Sequence, residues 1–189
     1  MSRNPFDNRP PRGPRPIGAA RGRTLRTRVG DTEVLTRPML TADAGAVREM
    51  HGRCSPESLR SRYFGPKPRL NETVMSLFTS ATRGLTLVSV ADGQVVAMSH
   101  LMDLAPGEAE LAFLIEDAWQ GRGLGRALLD HLVRLAPGRQ ISVLSATVYA
   151  ANRRMLGLLT GAGAVLPRAA GGIVDVRLPL GAPTAEMLT

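Results

Sequence analysis

Polar and apolar residues alternate from Thr32 to Arg37, the period of a strand, and Pro38 confines that strand to an edge or ends it. Thr41-Ala42-Asp43 then marks a helix start ahead of Ala46, Val47 and Met50 at helical spacing. Ser55-Pro56-Glu57-Ser58 marks another, with serine as cap and proline at the first helical position, and opens a helix over Leu59 to Phe64 that Gly65-Pro66-Lys67-Pro68 breaks. Asn71-Glu72 caps a third through Val74, Leu77 and Phe78. From Gly84 the period returns to two. Leu85 to Val90 and Val95 to Leu101 flank the hairpin signal Asp92-Gly93, and Pro106-Gly107 turns into a third strand, Glu108 to Ile115. A helical pattern over Ala127 to Leu135, a strand over Ile141 to Tyr149 and a short helix capped by Asn152 follow. Ala164 to Leu166 and Ile173 to Leu178 are expected to form a final hairpin. Strand, helices, three antiparallel strands, helix, strand, helix and two strands predict an α/β fold, a mixed sheet with helices on both faces.

Length and charge change this picture at the ends only. The 189 residues suit one domain with tails, read as a tail over 1–30, a domain over 31–180 and a second tail over 181–189. Of the net charge of +8, residues 1–28 carry eight arginines against Asp7, which leaves +1 for the rest of the chain. That first stretch also holds five prolines between Pro5 and Pro16 and little apolar content, so it is expected to be disordered. A nucleic-acid contact is therefore expected through this basic tail or not at all. One cysteine, Cys54, permits neither an intramolecular disulfide nor a cysteine metal cluster, and points to a reducing, cytoplasmic setting. No apolar run reaches the roughly 20 residues that span a bilayer, so no membrane partner is expected.

The candidate chemistry lies at Gln120-Gly121-Arg122-Gly123-Leu124-Gly125-Arg126, between the strand ending at Ile115 and the helix from Ala127. A glycine turn into a helix start offers unpaired main-chain N–H groups at the positive end of the helix, a site for an anion. Arg122 and Arg126 add side-chain charge, so a phosphorylated ligand suits the turn better than a neutral one. Neither the dinucleotide pattern nor the lysine-bearing P-loop fits these residues.

What remains, Q-x-x-G-x-G after a strand, resembles the acyl-CoA pyrophosphate loop of the GNAT acetyltransferase superfamily. Asn152-x-x-Met155-Leu156 ahead of Gly161-Ala162-Gly163-Ala164 is similar to the superfamily's later motif. Ser55-Pro56-Glu57-Ser58-Leu59-x-x-Arg62-Tyr63-Phe64 and Ala109-Glu110-Leu111-Ala112-Phe113 resemble bacterial protein lysine acetyltransferases. The resemblance runs from about Val34 to Leu178. It implies a mostly antiparallel sheet with splayed central strands and acetyl-CoA as co-substrate, with no metal. Residues Phe113, Leu114 and Ile115 would pair with the pantetheine arm, Gln120 to Arg126 would hold the pyrophosphate, and Asn152 and Met155 would complete the cofactor site. The acceptor it implies is a primary amine, a protein lysine first and a small-molecule amine as the runner-up. The alternative is a module that binds acyl-CoA without catalysis.

An amine with a pKa near 10.4 is protonated at neutral pH, so acetyl transfer needs a base. Glu110 occupies the position of the catalytic glutamate in the related lysine acetyltransferases, and alternation puts it on one strand face with Glu108, Ala112 and Leu114, where apolar neighbours would raise its pKa. Many relatives protonate the departing thiolate with a tyrosine whose position here is Leu159. Tyr149, water or no acid at all stay open in its place. His51, His100 and His131 are expected to be structural, Cys54 a small buried hydrophobe and Trp119 a packing residue. Arg62 reads equally as an ion-pair partner or as part of the substrate entrance. No acidic cluster suited to a polycation is visible along the chain.

Overall fold

The computed structural model describes residues 24–65, 68–80, 82–167 and 169–181. Seven strands form one sheet in sequence order: β1 (Leu25–Val29), β2 (Thr32–Pro38), β3 (Gly84–Ala91), β4 (Gln94–Ala105), β5 (Glu108–Ile115), β6 (Val143–Tyr149) and β7 (Ile173–Pro179). All neighbours are antiparallel except β5 and β6. Helices α1 (Ala44–Arg53), α2 (Pro56–Tyr63) and α3 (Glu72–Thr79) belong to one face, called here the front. Helices α4 (Leu124–Leu135) and α5 (Arg153–Thr160) cover the back.

The period-two pattern of the strands explains both layers. On the back, Leu87, Leu101, Leu111, Leu144 and Val176 meet Leu129 and Leu132 of α4 and Leu156 and Leu159 of α5. On the front, Val88, Met98 and Leu114 meet Val47, Met50 and Leu59. Burying a leucine-sized side chain contributes about 1.5–3 kcal/mol, so these two layers set the register of every strand. The turn Asp92-Gly93 has φ of 49° and 77°, the left-handed pair that a two-residue hairpin requires.

Two expectations are corrected. The sheet begins at β1, inside the stretch read as tail; Leu25, Thr27 and Val29 alternate with Arg26 and Arg28, and Arg26 pairs with Glu33 across the hairpin. Residues 1–23, which hold the rest of the arginine-rich stretch, lie outside the described residues, as do 182–189 of the expected second tail. The final hairpin is reduced to a single bridge, Val165 to Arg177, while β7 pairs along its length with β6. Two smaller shifts follow from local bonding. Pro38 ends β2, which lies inside the sheet between β1 and β3. The start of α1 is held by Asp43, which takes the Leu40 N–H and both nitrogens of Arg37 at 2.7 and 2.8 Å. Among the described residues no helix is long and apolar enough to cross a membrane.

Candidate active site

The two parallel strands hold together only at one end. Glu108, Ala109 and Glu110 of β5 pair with Val143, Leu144 and Ser145 of β6, and there the ladder stops. Beyond it β5 stays bonded to β4 as far as Ile115, and β6 to β7 as far as Tyr149. The strands splay apart, and the β6-facing backbone groups of Leu111 to Ile115 have no strand partner. Five residues of extended chain lead from Glu110 to Ile115, about 17 Å at the usual strand rise.

The glycine turn sits at the open end of this gap. Gly121 and Gly123 have φ of 69° and 92°, and a Cβ on either would meet nothing within 4 Å, so the main chain there is bare. Gly123 precedes α4 with no side-chain cap, and Leu124, Gly125 and Arg126 are the helix's first N–H groups, without acceptors inside it. These donors, with the helix dipole behind them, fit a diphosphate.

The side chains expected at the same site are placed differently from one another. The Gln120 amide donates to Ser58 Oγ and to the Ile115 carbonyl at 2.9 Å each, and its oxygen accepts from Arg154 at 3.2 Å. Arg126 is tied to Asp130 at 2.9 Å and Arg122 lies over the Trp119 ring at 5.4 Å. Leu124 is fully buried in the core beside β1 and β2. Asn152 caps its own helix, accepting from the Met155 N–H at 3.1 Å, and Met155 packs against the back core. Phe113 and Ile115 point to the back, and Leu114 is buried under α1 and α2 on the front.

Glu110 is the last β5 residue paired with β6, opposite Ser145, with Met102 as its neighbour on β4. It is half-buried on the front face, and among the described residues its carboxylate accepts no hydrogen bond. Arg62 of α2 interacts with it electrostatically. Burial pulls the Arg62 guanidinium below its ordinary value, while Tyr63 and Glu110 push it back up. Arg62 lies over the Tyr63 ring at 4.9 Å, and its Nε is buried without a partner among the described residues.

Among the described residues no helix covers the middle of the front of β6 and β7, where Ser145, Thr147, Asp175 and Arg177 stand. A groove of about 350 Å³ runs here, bounded also by Leu104, Glu108 and Glu110. Three carboxylates therefore share one groove, although none stood out as a cluster in the sequence. Glu108 takes Arg177 at 3.0 Å and the Ser145 hydroxyl, and Asp175 takes Thr147 at 3.0 Å. A larger hollow of about 530 Å³ lies at the β4–β5 turn near Asp103 and Arg139, at the far end of β5 from the glycine turn.

The remaining candidates resolve by contact. His51 joins the Val47 carbonyl at 2.7 Å and Tyr63 Oη at 2.6 Å, and His131 is buried. His100 is fully buried against Phe78, with Nδ1 3.0 Å from Thr86 Oγ1; burial, then Arg62 and His51, hold it neutral, well below the ordinary histidine value. Cys54 is buried beside Met50. Leu159 is core, so the back of α5 has no acid to offer, and Tyr149 stacks on Phe64.

Sequence reasoning missed a clamp formed by Asp117. This carboxylate, just past β5, accepts from Ser55 N–H at 2.8 Å, Ser55 Oγ at 2.7 Å and Ser58 Oγ at 2.9 Å. Burial alone would raise the Asp117 carboxyl; the bonds from Ser55 and Ser58 outweigh it and hold the group below the usual range. Asp117 thus fixes the start of α2 to the segment that leads into the glycine turn. The signal was present as Ser55 and Ser58 three apart, but their partner lies about 60 residues away.

The model of the acetyltransferase (GNAT) family matches residues 47–163. An acetyltransferase of Pseudomonas aeruginosa is 28% identical over 139 residues, covering 70% of this chain and 75% of that protein. The GNAT domain of S. lividans PAT superposes with a TM-score of 0.78 at 28% identity, covering 86% of this chain and 99% of that one. The structure of yncA from Salmonella typhimurium with its cofactor acetyl-CoA has the same fold, with a TM-score of 0.65 at 20% identity over 80% of this chain and 98% of that one.

Proposed function

The chain belongs to the GNAT acetyltransferase family, and from that premise we propose that it transfers an acetyl group from acetyl-CoA to a primary amine, a protein lysine, with Glu110 as general base. The observation that carries this reading is the place of Glu110: the last bonded step before β5 and β6 part, on the same strand that leads to the bare amides of the glycine turn.

Acetyl-CoA supplies an activated thioester. The chain's own part is to hold, orient and deprotonate. The N–H groups of Leu124, Gly125 and Arg126 would hold the phosphates, and the unpaired edge of β5 would offer main-chain donors to the arm and the thioester oxygen. Glu110 removes a proton from the acceptor ammonium, directly or through water, leaving a neutral nitrogen able to attack. The new C–N bond forms as the C–S bond breaks, and the thiolate leaves with a pKa near 8.5, low enough to need no dedicated acid. The motifs around Ser55 to Phe64 and Ala109 to Phe113 support a lysine acceptor. The shared groove of Glu108, Glu110 and Asp175 favours a second reading, a small amine with more than one positive charge.

Calorimetric titration with acetyl-CoA tests the donor, and a screen of lysine peptides and small amines for thiol release tests the acceptor. Glu110→Gln should bind the donor and fail to turn over; full turnover in that variant removes the base.

A further inference from the structure

Phe64 stands out by its backbone. It has φ of 56°, a left-handed angle shared among non-glycine residues of the described chain only with Asp92, in a hairpin turn, and Gln140, which closes a short turn. A bulky aromatic rarely adopts this conformation, and Gly65, the very next residue, could have taken it with no Cβ to strain. The strained angle brings the Phe64 ring onto Tyr149, with centroids 4.7 Å apart and planes inclined at 39°.

The contact joins two elements that the sheet has let go. Phe64 ends α2, which packs on β5, and Tyr149 ends β6. Alternation puts Tyr149 on the front with Thr147 and Ser145, the face that carries Glu110. The other end of α2 is fixed by Asp117, just beyond β5. The helix is therefore tied at its start to the β5 side and at its end, across the mouth of the splay, to β6. The polar groove of Glu110, Ser145, Thr147 and Asp175 remains as the open approach to Glu110 from the front.

We propose that the Phe64–Tyr149 pair, which lies beyond Thr147 at the splay end of this groove, is a specificity-determining wall over the front of the splay and makes the enzyme choose an amine over water as acceptor. The inference rests on the acetyl-transfer reading above. Water competes for the same thioester: its oxygen bonds to the carbonyl carbon, the C–S bond breaks, and the sulfur ends with a proton, giving acetate and CoA. Two apposed rings exclude small polar solvent while offering an apolar surface to the alkyl stem of an amine, and their π-faces attract an ammonium group. Water has no apolar body with which to use that surface.

The test needs no knowledge of the natural acceptor. Thiol release from acetyl-CoA alone is measured for the full chain, for Phe64→Gly, Tyr149→Ala and Tyr149→Phe. Glycine accepts the left-handed angle, so Phe64→Gly removes the ring without a backbone penalty. Protection from heat by CoA, measured on each, reports folding and donor binding. Acceptor-free hydrolysis should rise by at least about tenfold in Phe64→Gly and Tyr149→Ala, and stay at the wild-type rate in Tyr149→Phe, which keeps the ring. Equal hydrolysis in all four proteins, with CoA protection retained, overturns the wall. A change confined to Tyr149→Phe also overturns it and assigns the effect to the hydroxyl. Absence of CoA protection in the wild type overturns instead the donor assignment on which the wall depends.

Discussion

The proposed donor end and the proposed acceptor end of this site are built from different materials. At the glycine turn the functional groups are main-chain amides supplied by one contiguous heptapeptide, while the side chains of Gln120, Arg126 and Asn152 are occupied in bracing the protein. On the acceptor side the groups are side chains: Glu110 and Asp175 in the groove over β5, β6 and β7, and Phe64 on Tyr149 beside it at the ends of α2 and β6. A backbone site needs only the right local conformation, and any side chain that permits the turn preserves it. A side-chain site can be retuned residue by residue without disturbing the turn. Such a division lets one donor serve many acceptors.

The largest expected effect separates the two ends outright. Replacing Glu110 by glutamine keeps shape and removes the proposed base, so kcat should fall by about 10² to 10⁴, while CoA protects the variant from heat as it does the wild type. A parallel loss of CoA protection would break the comparison, because the donor site would then depend on an acceptor-side residue. Next in size is Gly123→Val at the other end. At φ of 92° a β-branched residue costs about 1–2 kcal/mol or more of stability, and its side chain would stand at the proposed phosphate site. The CoA dissociation constant from calorimetry should rise by about tenfold or more, roughly 1.4 kcal/mol. An unchanged constant in a folded Gly123→Val protein would move the phosphates elsewhere.

The same division decides what could be read along the chain. The glycine turn, the Asp92-Gly93 hairpin and the serine and asparagine caps of α2, α3 and α5 are local, with their partners three or four residues away, and each stands where its signal put it. The class of sheet followed from the order of such signals. β1 went unread because its arginines were counted as tail charge, although Leu25, Thr27 and Val29 carried the strand period. The acidic groove was invisible for another reason. Asp175 reaches Glu110 only through two register choices, β5 on β6 and β6 on β7, and neither is written in a local pattern. Phe64 on Tyr149 and Ser55 on Asp117 are likewise contacts between residues about 60 or more apart.

Asp117 offers the smallest and sharpest probe, because it joins the two ends. It holds the first turn of α2 on the acceptor side to the approach of the glycine turn on the donor side. Asp117→Asn keeps the size and loses the charge-assisted bonds, which on an exposed, screened surface contribute about 1 kcal/mol. The pH dependence fixes the cause. The folded carboxyl lies below its ordinary value, because the Ser55 and Ser58 bonds more than offset burial. Its contribution is therefore complete above the unfolded pKa, near 3.9, and is lost as pH falls through the lower folded value. Denaturant midpoints of wild type and variant should differ by a constant amount from pH 7 to about pH 5 and begin to converge only below about pH 4, as pH falls toward the lower folded value. A difference that persists in acid would mean that the variant acts through packing and not through the bonds to α2. In that case the two ends are joined by shape alone, and kcat and CoA affinity should respond to Asp117→Asn independently of pH.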